Sequence, residues 1–118
     1  MKIKTREVGC NFGWVADIVN SRRTIYTTPT YPHEEAARLD AVNEPVGYAT
    51  EGDVRGSCGH VHRNLMTAMD CLKRDRDACK SVGGYSDRHV VCILYDGKTR
   101  QLSLDEAEEE DFLTLHIF

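Results

Sequence analysis

Leu65-Met-Thr-Ala-Met-Asp-Cys-Leu72, continued to Cys79 and followed after Gly83-Gly84 by His89-Val-Val-Cys-Ile-Leu-Tyr95, decides the fold of this chain. Leu65, Ala68, Met69, Leu72 and Cys79 fall on one stripe of a 3.6-residue period, so the first run reads as an amphipathic helix. Lys73, Arg74, Asp75, Arg76 and Asp77 read as its polar cover. The glycine pair reads as its left-handed exit. The second run is apolar almost without interruption, which predicts a central strand covered on both faces. Asp96-Gly97 then predicts a hairpin turn, with Lys98 to Leu102 pairing back.

Working outward, Lys2 to Val8 and Trp14 to Val19 alternate and read as strands. Asn20-Ser21 predicts a turn, and Arg22 to Thr27 a third strand. His33 to Val42 reads as a helix with Glu34-Glu35 at its positive end. Val46 to Thr50 is a short strand, and residues 51–57 a loop. Ser103 is expected to cap an acidic helix from Leu104 to about Asp111, and Leu113 to Phe118 to form a final edge strand. The fold class expected is α+β: an antiparallel sheet with hairpins and two to three helices on one face, in a single domain over residues 1–118.

The length of 118 residues fits one domain, and a hydrophobic fraction of 41% supplies one modest core. A net charge of −4 disfavours non-specific binding to nucleic acid. Six of the acids lie within residues 105–111, leaving a mildly basic body that can hold a small anion locally. No stretch approaches the roughly 20 apolar residues of a membrane span. The first residues lack the apolar run of a signal peptide. Five cysteines, an odd number, therefore read as reduced thiols in a cytoplasm.

Three chemistries compete in the middle of the chain. Cys58, His60, His62, Cys71 and Cys79 are atom types that zinc accepts, but no Cys-x2-Cys or His-x3-His clip is present. Cys71 and Cys79 sit roughly 80° apart on a helix and read as small buried hydrophobes, so no metal or cofactor is assigned. Cys58 or Ser57 beside His60 resembles a nucleophile and base, yet residues two apart rarely meet in catalytic geometry. No Gly-x-Ser-x-Gly, His-Glu-x-x-His or P-loop pattern accompanies them, so no catalytic residue is assigned and the expectation is a protein without enzymatic activity.

Ligand binding without turnover fits best. Tyr85 can stack on a base, Ser86 and Asp87 can bond a ribose or amine, and Arg88 can clamp a phosphate. Arg63 and Asn64 lie at the predicted start of the long helix, where free amides favour an anion. Arg22, Arg23 and Phe12 complete the candidate set. The acidic run 105–111 offers a different class, a protein-binding inhibitor or nucleic-acid mimic. A small zinc-stabilised nucleic-acid-binding module is a third.

Cys58-Gly-His-Val-His-Arg-Asn64, Ala68-Met-Asp-Cys71-Leu72 and Gly83-Gly-Tyr-Ser-Asp-Arg88 together resemble the first family of Thoeris anti-defence proteins, small phage-encoded sponges. The resemblance spans about residues 55–95. It implies a protein in the cytoplasm of a phage's host that sequesters, without degrading, a cyclic ADP-ribose isomer or a cyclic oligonucleotide. It also implies a homo-oligomer, hexamers included, with ligands near subunit boundaries. Tyr85 would stack, and Arg22, Arg23, Arg63 and Arg88 would take phosphates.

Overall fold

The computed structural model describes residues 1–9 and 13–117; Phe12, one of the candidate ligand residues, lies outside them. The class is α+β, with antiparallel strands and three helices, and the strands form two three-stranded sheets. The chain divides into two compact units, Met1–Val46 with Leu94–Lys98, and Gly47–Ile93 with Thr99–Phe118.

In the first unit, β1 (Lys2–Val8), β2 (Gly13–Asn20) and β3 (Arg23–Thr27) pair in that order, as alternation predicts. The β2–β3 ladder is interrupted between Ile18 and Val19. Helix α1 (Glu34–Asn43) presents Ala37 and Ala41, both fully buried, to Ala16 and Ile18. Small residues on the helix let it approach the sheet closely. Two tyrosine hydroxyls, Tyr26 at 2.9 Å and Tyr31, donate to the Asp40 carboxylate and fix the helix to β3 and to the loop that follows it.

The second unit holds β4 (Gly47–Glu51), β5 (His89–Ile93) and β6 (Thr99–Arg100), antiparallel, with β5 central. Val90, Val91 and Cys92 of β5 are buried, as the continuous apolar run implies. Helix α2 (Leu65–Ser81) starts at Asn64, whose side chain accepts the Thr67 amide at 2.9 Å, and leaves through Gly83 at φ +82. Leu65, Ala68, Met69, Leu72, Val90 and Leu113 form the core of this unit.

Helix α3 (Leu104–Ile117) corrects the expectation of a final strand. Ser103 caps its start, with the Glu106 amide donating to Ser103 Oγ at 3.3 Å and the Ser103 hydroxyl donating to the Glu106 carboxylate at 2.7 Å. No glycine or proline interrupts the chain after Asp111, so the helix runs on and inserts Leu113 beside α2. Packing of that one leucine outweighs the strand-like alternation of the last residues. Among the described residues, no helix is long and apolar enough to cross a membrane.

Candidate metal centre

Cys58, His60 and His62 lie on a segment that doubles back along β4. The Cys58 amide donates to Thr50 O at 2.9 Å, and His62 and Tyr48 exchange both backbone hydrogen bonds, at 2.7 and 2.8 Å. Between these anchors Gly59 takes φ +74, a conformation that side-chain-bearing residues enter at a cost. The fourth residue, Cys71, comes from the second turn of α2. One ligand atom from each of the four lies within 4.8 Å of the others.

Two edges of this cluster come close to those of a metal tetrahedron. Cys58 Sγ is 3.8 Å from His62 Nε2, and Cys71 Sγ is 4.0 Å from His60 Nδ1. Metal–sulfur bonds of about 2.3 Å and metal–nitrogen bonds of about 2.0 Å require sulfur–nitrogen edges of about 3.6 Å in a tetrahedron. A shift of a few tenths of an ångström brings both contacts onto that value. The imidazoles of His60 and His62 stand edge-on, 5.7 Å between centroids, so neither ring blocks the other.

The electrostatics point the same way. Burial raises the Cys58 thiol, but the Thr50 hydroxyl dipole, the Thr50 amide at 3.5 Å and the contact with His62 outweigh it and bring the thiol down to about 6. Cys71 moves up, through burial first and then the neighbouring charge of Cys58. Two thiolates this close repel unless a cation lies between them. The Thr50 hydroxyl is fully buried and has no hydrogen-bond partner among the described residues. Its dipole favours the charged form of both Cys58 and Cys71. Metal-bound thiolates accept hydrogen bonds far better than thiols do, and would satisfy this hydroxyl.

The residues singled out from sequence divide among different tasks. Asp75, buried on α2, pairs with Arg55 at 2.5 Å and Arg88 at 3.2 Å and also accepts the Ser86 hydroxyl. Asp87 accepts the amides of Val54 at 2.7 Å and Arg55 at 3.1 Å. The Arg88 guanidinium donates in addition to the carbonyls of Arg55, Gly56 and Ser57. Ser86, Asp87 and Arg88 are thus spent on fastening the loop 52–57 to α2. Asn64 is spent on capping. Tyr85 alone of that motif points outward, 89% exposed, at the rim of a cavity of about 390 Å3 lined also by Arg76, Lys80, Gly84 and Ser86.

Arg63 is exposed at the start of α2 and Tyr85 lies beyond its end, so the 17-residue helix separates them by about 25 Å. Within one chain they do not line one pocket. Arg22 and Arg23 are exposed in the β2–β3 turn region of the first unit. On α3, Glu106 takes Arg100 at 2.9 Å, while Asp105, Glu108, Glu109 and Asp111 are exposed and Glu110 is half-buried.

Cys71, which its helical position marks as a packing residue, joins the cluster, and the sequence signal for that cluster is the two-residue spacing of Cys58, His60 and His62. The imidazole of His62 stands 3.8 Å from the Cys58 thiol. Cys79, by contrast, is buried as expected. Comparison of the chain with protein-family models, with curated proteins and with solved structures gave no match.

Proposed function

We propose that the chain is a zinc-organised binding module that works without turnover, with Cys58, His60, His62 and Cys71 as the ligands of one structural ion. The observation that carries this is the meeting of two sulfurs and two ring nitrogens within 4.8 Å. Two cysteines and two histidines are a donor set that four-coordinate structural zinc takes, and four protein ligands leave no position for a reactive water. The ion would tie the loop that follows β4 to α2. In a unit whose buried core is small, metal binding of this kind is itself folding free energy. Tag-free protein purified under reducing conditions should carry one zinc per chain by elemental analysis, and chelation should lower its melting temperature. Protein with no stoichiometric metal, and no response to chelator or added zinc, overturns the reading.

One further observation favours a second reading, that of a sponge for a cyclic nucleotide. An aromatic ring as exposed as Tyr85, beside Arg76 and Lys80, offers stacking for a base and cations for a phosphate. The motif likeness to Thoeris anti-defence proteins supports the same ligand class. Arg22, Arg23 and Arg63 would then serve from other copies in a homo-oligomer. Incubation with a cyclic ADP-ribose isomer should deplete it, and heating should return it intact. Undiminished free ligand overturns this second reading and leaves the zinc centre untouched.

A further inference from the structure

Cysteines in the second unit fall into two environments. Cys79 and Cys92 are buried, at 7% and 0% exposure. Cys58 and Cys71 are half-buried, and their sulfurs lie within 4.8 Å of each other, one on the returning segment and one on α2. The first pair is shielded from solutes. The second is reachable, and its two sulfurs are near enough to bond after a side-chain rotation.

We propose that Cys58 and Cys71 form a peroxide-sensitive pair, whose oxidation to a disulfide expels the metal and frees the imidazoles of His60 and His62. The inference rests on the zinc reading above. One thiolate sulfur attacks a hydrogen peroxide oxygen: the sulfur–oxygen bond forms, the oxygen–oxygen bond breaks, and the departing hydroxide takes a proton to become water. The second thiolate then attacks the resulting sulfenic sulfur. A sulfur–sulfur bond forms, the sulfur–oxygen bond breaks, and a second hydroxide leaves and takes a proton. The two sulfurs together lose two electrons and peroxide gains them. Zinc keeps its oxidation state and departs, because two imidazoles and a neutral disulfide hold it weakly.

The structural consequence follows from what the segment carries. The Cys58 sulfur accepts the Thr50 amide at 3.5 Å, and Arg55, three residues before Cys58, reaches Asp75 of α2. Losing the metal therefore frees His60 and His62, while the Cys58–Cys71 bond and the Asp75, Asp87 and Arg88 contacts keep the loop beside α2. A thiol reductant and free zinc would restore the centre.

The test uses the full zinc-loaded chain, titrated with hydrogen peroxide in the presence of a chromogenic zinc indicator. The expected result is release of one zinc per chain, with a loss of two hydrogens mapped by peptide mass to a Cys58–Cys71 crosslink. Cys79 and Cys92 should stay reduced, and reductant with zinc should reverse the change. Cys71→His keeps four ligands but has no second sulfur, and should hold its zinc at the same peroxide dose. Zinc that stays bound while the wild-type chain is exposed to peroxide, or zinc release without that crosslink, overturns this inference alone. A chain that never binds zinc overturns the reading beneath it as well.

Discussion

Asp75 and Arg88 form an ion pair at 3.2 Å in which both side chains are largely withdrawn from solvent, 6% and 16% exposed. Burial pushes the Asp75 carboxyl up, but hydrogen bonds from Arg55 and Ser86 and the charges of Arg88 and Arg55 outweigh it, leaving the group below its ordinary value. A carboxylate whose folded value is depressed adds stability above its unfolded pKa, about 3.9, and that contribution fades as pH falls toward the folded value. Asp75→Asn should cost about 2–3 kcal/mol at pH 7, because it strands the Arg88 charge. It should also flatten the loss of stability below about pH 4. Denaturant unfolding of both proteins at pH 7 and in acid measures this; equal stabilities at pH 7 would contradict it.

Gly52 has no room for a side chain. A Cβ there would sit 2.6 Å from the Asp87 carboxylate oxygen and 2.8 Å from the Asp87 backbone. Gly52→Ala should therefore push Asp87 off the amides of Val54 and Arg55 and destabilise the unit by about 1–3 kcal/mol. Thermal unfolding with zinc present reads the effect, and an unchanged melting temperature would show that the loop adjusts freely.

Tyr85 and Arg88 are three residues apart yet should behave in opposite ways. Tyr85→Ala removes an exposed ring and should leave stability within about 0.5 kcal/mol. Nucleotide depletion, if the sponge reading holds, should be lost with it. Arg88→Ala should lower the melting temperature before any binding is assayed. Paired thermal melts and ligand-depletion assays separate the two roles.

Cys71→Ala and Cys79→Ala offer a similar contrast on one helix. The first removes a ligand atom and should weaken zinc retention against a chelator by at least tenfold. The second removes one buried sulfur and should cost about 1 kcal/mol of stability with zinc content unchanged. Equal zinc retention in the two variants would contradict the ligand assignment.

Much of the fold was legible because local pattern and packing agree. The stripe Leu65, Ala68, Met69 and Leu72 is the buried face of α2, and Val90 to Cys92 is the buried middle of β5. Gly83 and Ser103 mark helix ends in the way their chemistry dictates. The end of α3 was misread because alternating apolar residues carry a strand-like signal, and only the partner surface of α2 selects the helix.

The site was harder to read for a different reason. A search for two- and three-residue clips assumes a tight knuckle or a helix. Here the candidate donors Cys58, His60 and His62 stand two apart on a segment bent at Gly59 and held against β4, and Cys71 arrives from a helix whose register no local pattern fixes against that segment. The likeness of Ser86, Asp87 and Arg88 to a phosphate clamp had a similar limit. It took no account of Asp75, a charged helix residue that turns inward and occupies Ser86 and Arg88, or of the Val54 and Arg55 amides that occupy Asp87.

Zinc-edge X-ray absorption on the purified, reduced chain tests the centre most directly, because it reports the donor atoms themselves. Cys58, Cys71, His60 and His62 predict two sulfurs at about 2.3 Å and two imidazole nitrogens at about 2.0 Å, in tetrahedral coordination. Cys58→Ser should shift the spectrum toward a single sulfur. A first shell without sulfur, or an absence of zinc in protein that has never met a chelator, would contradict the account.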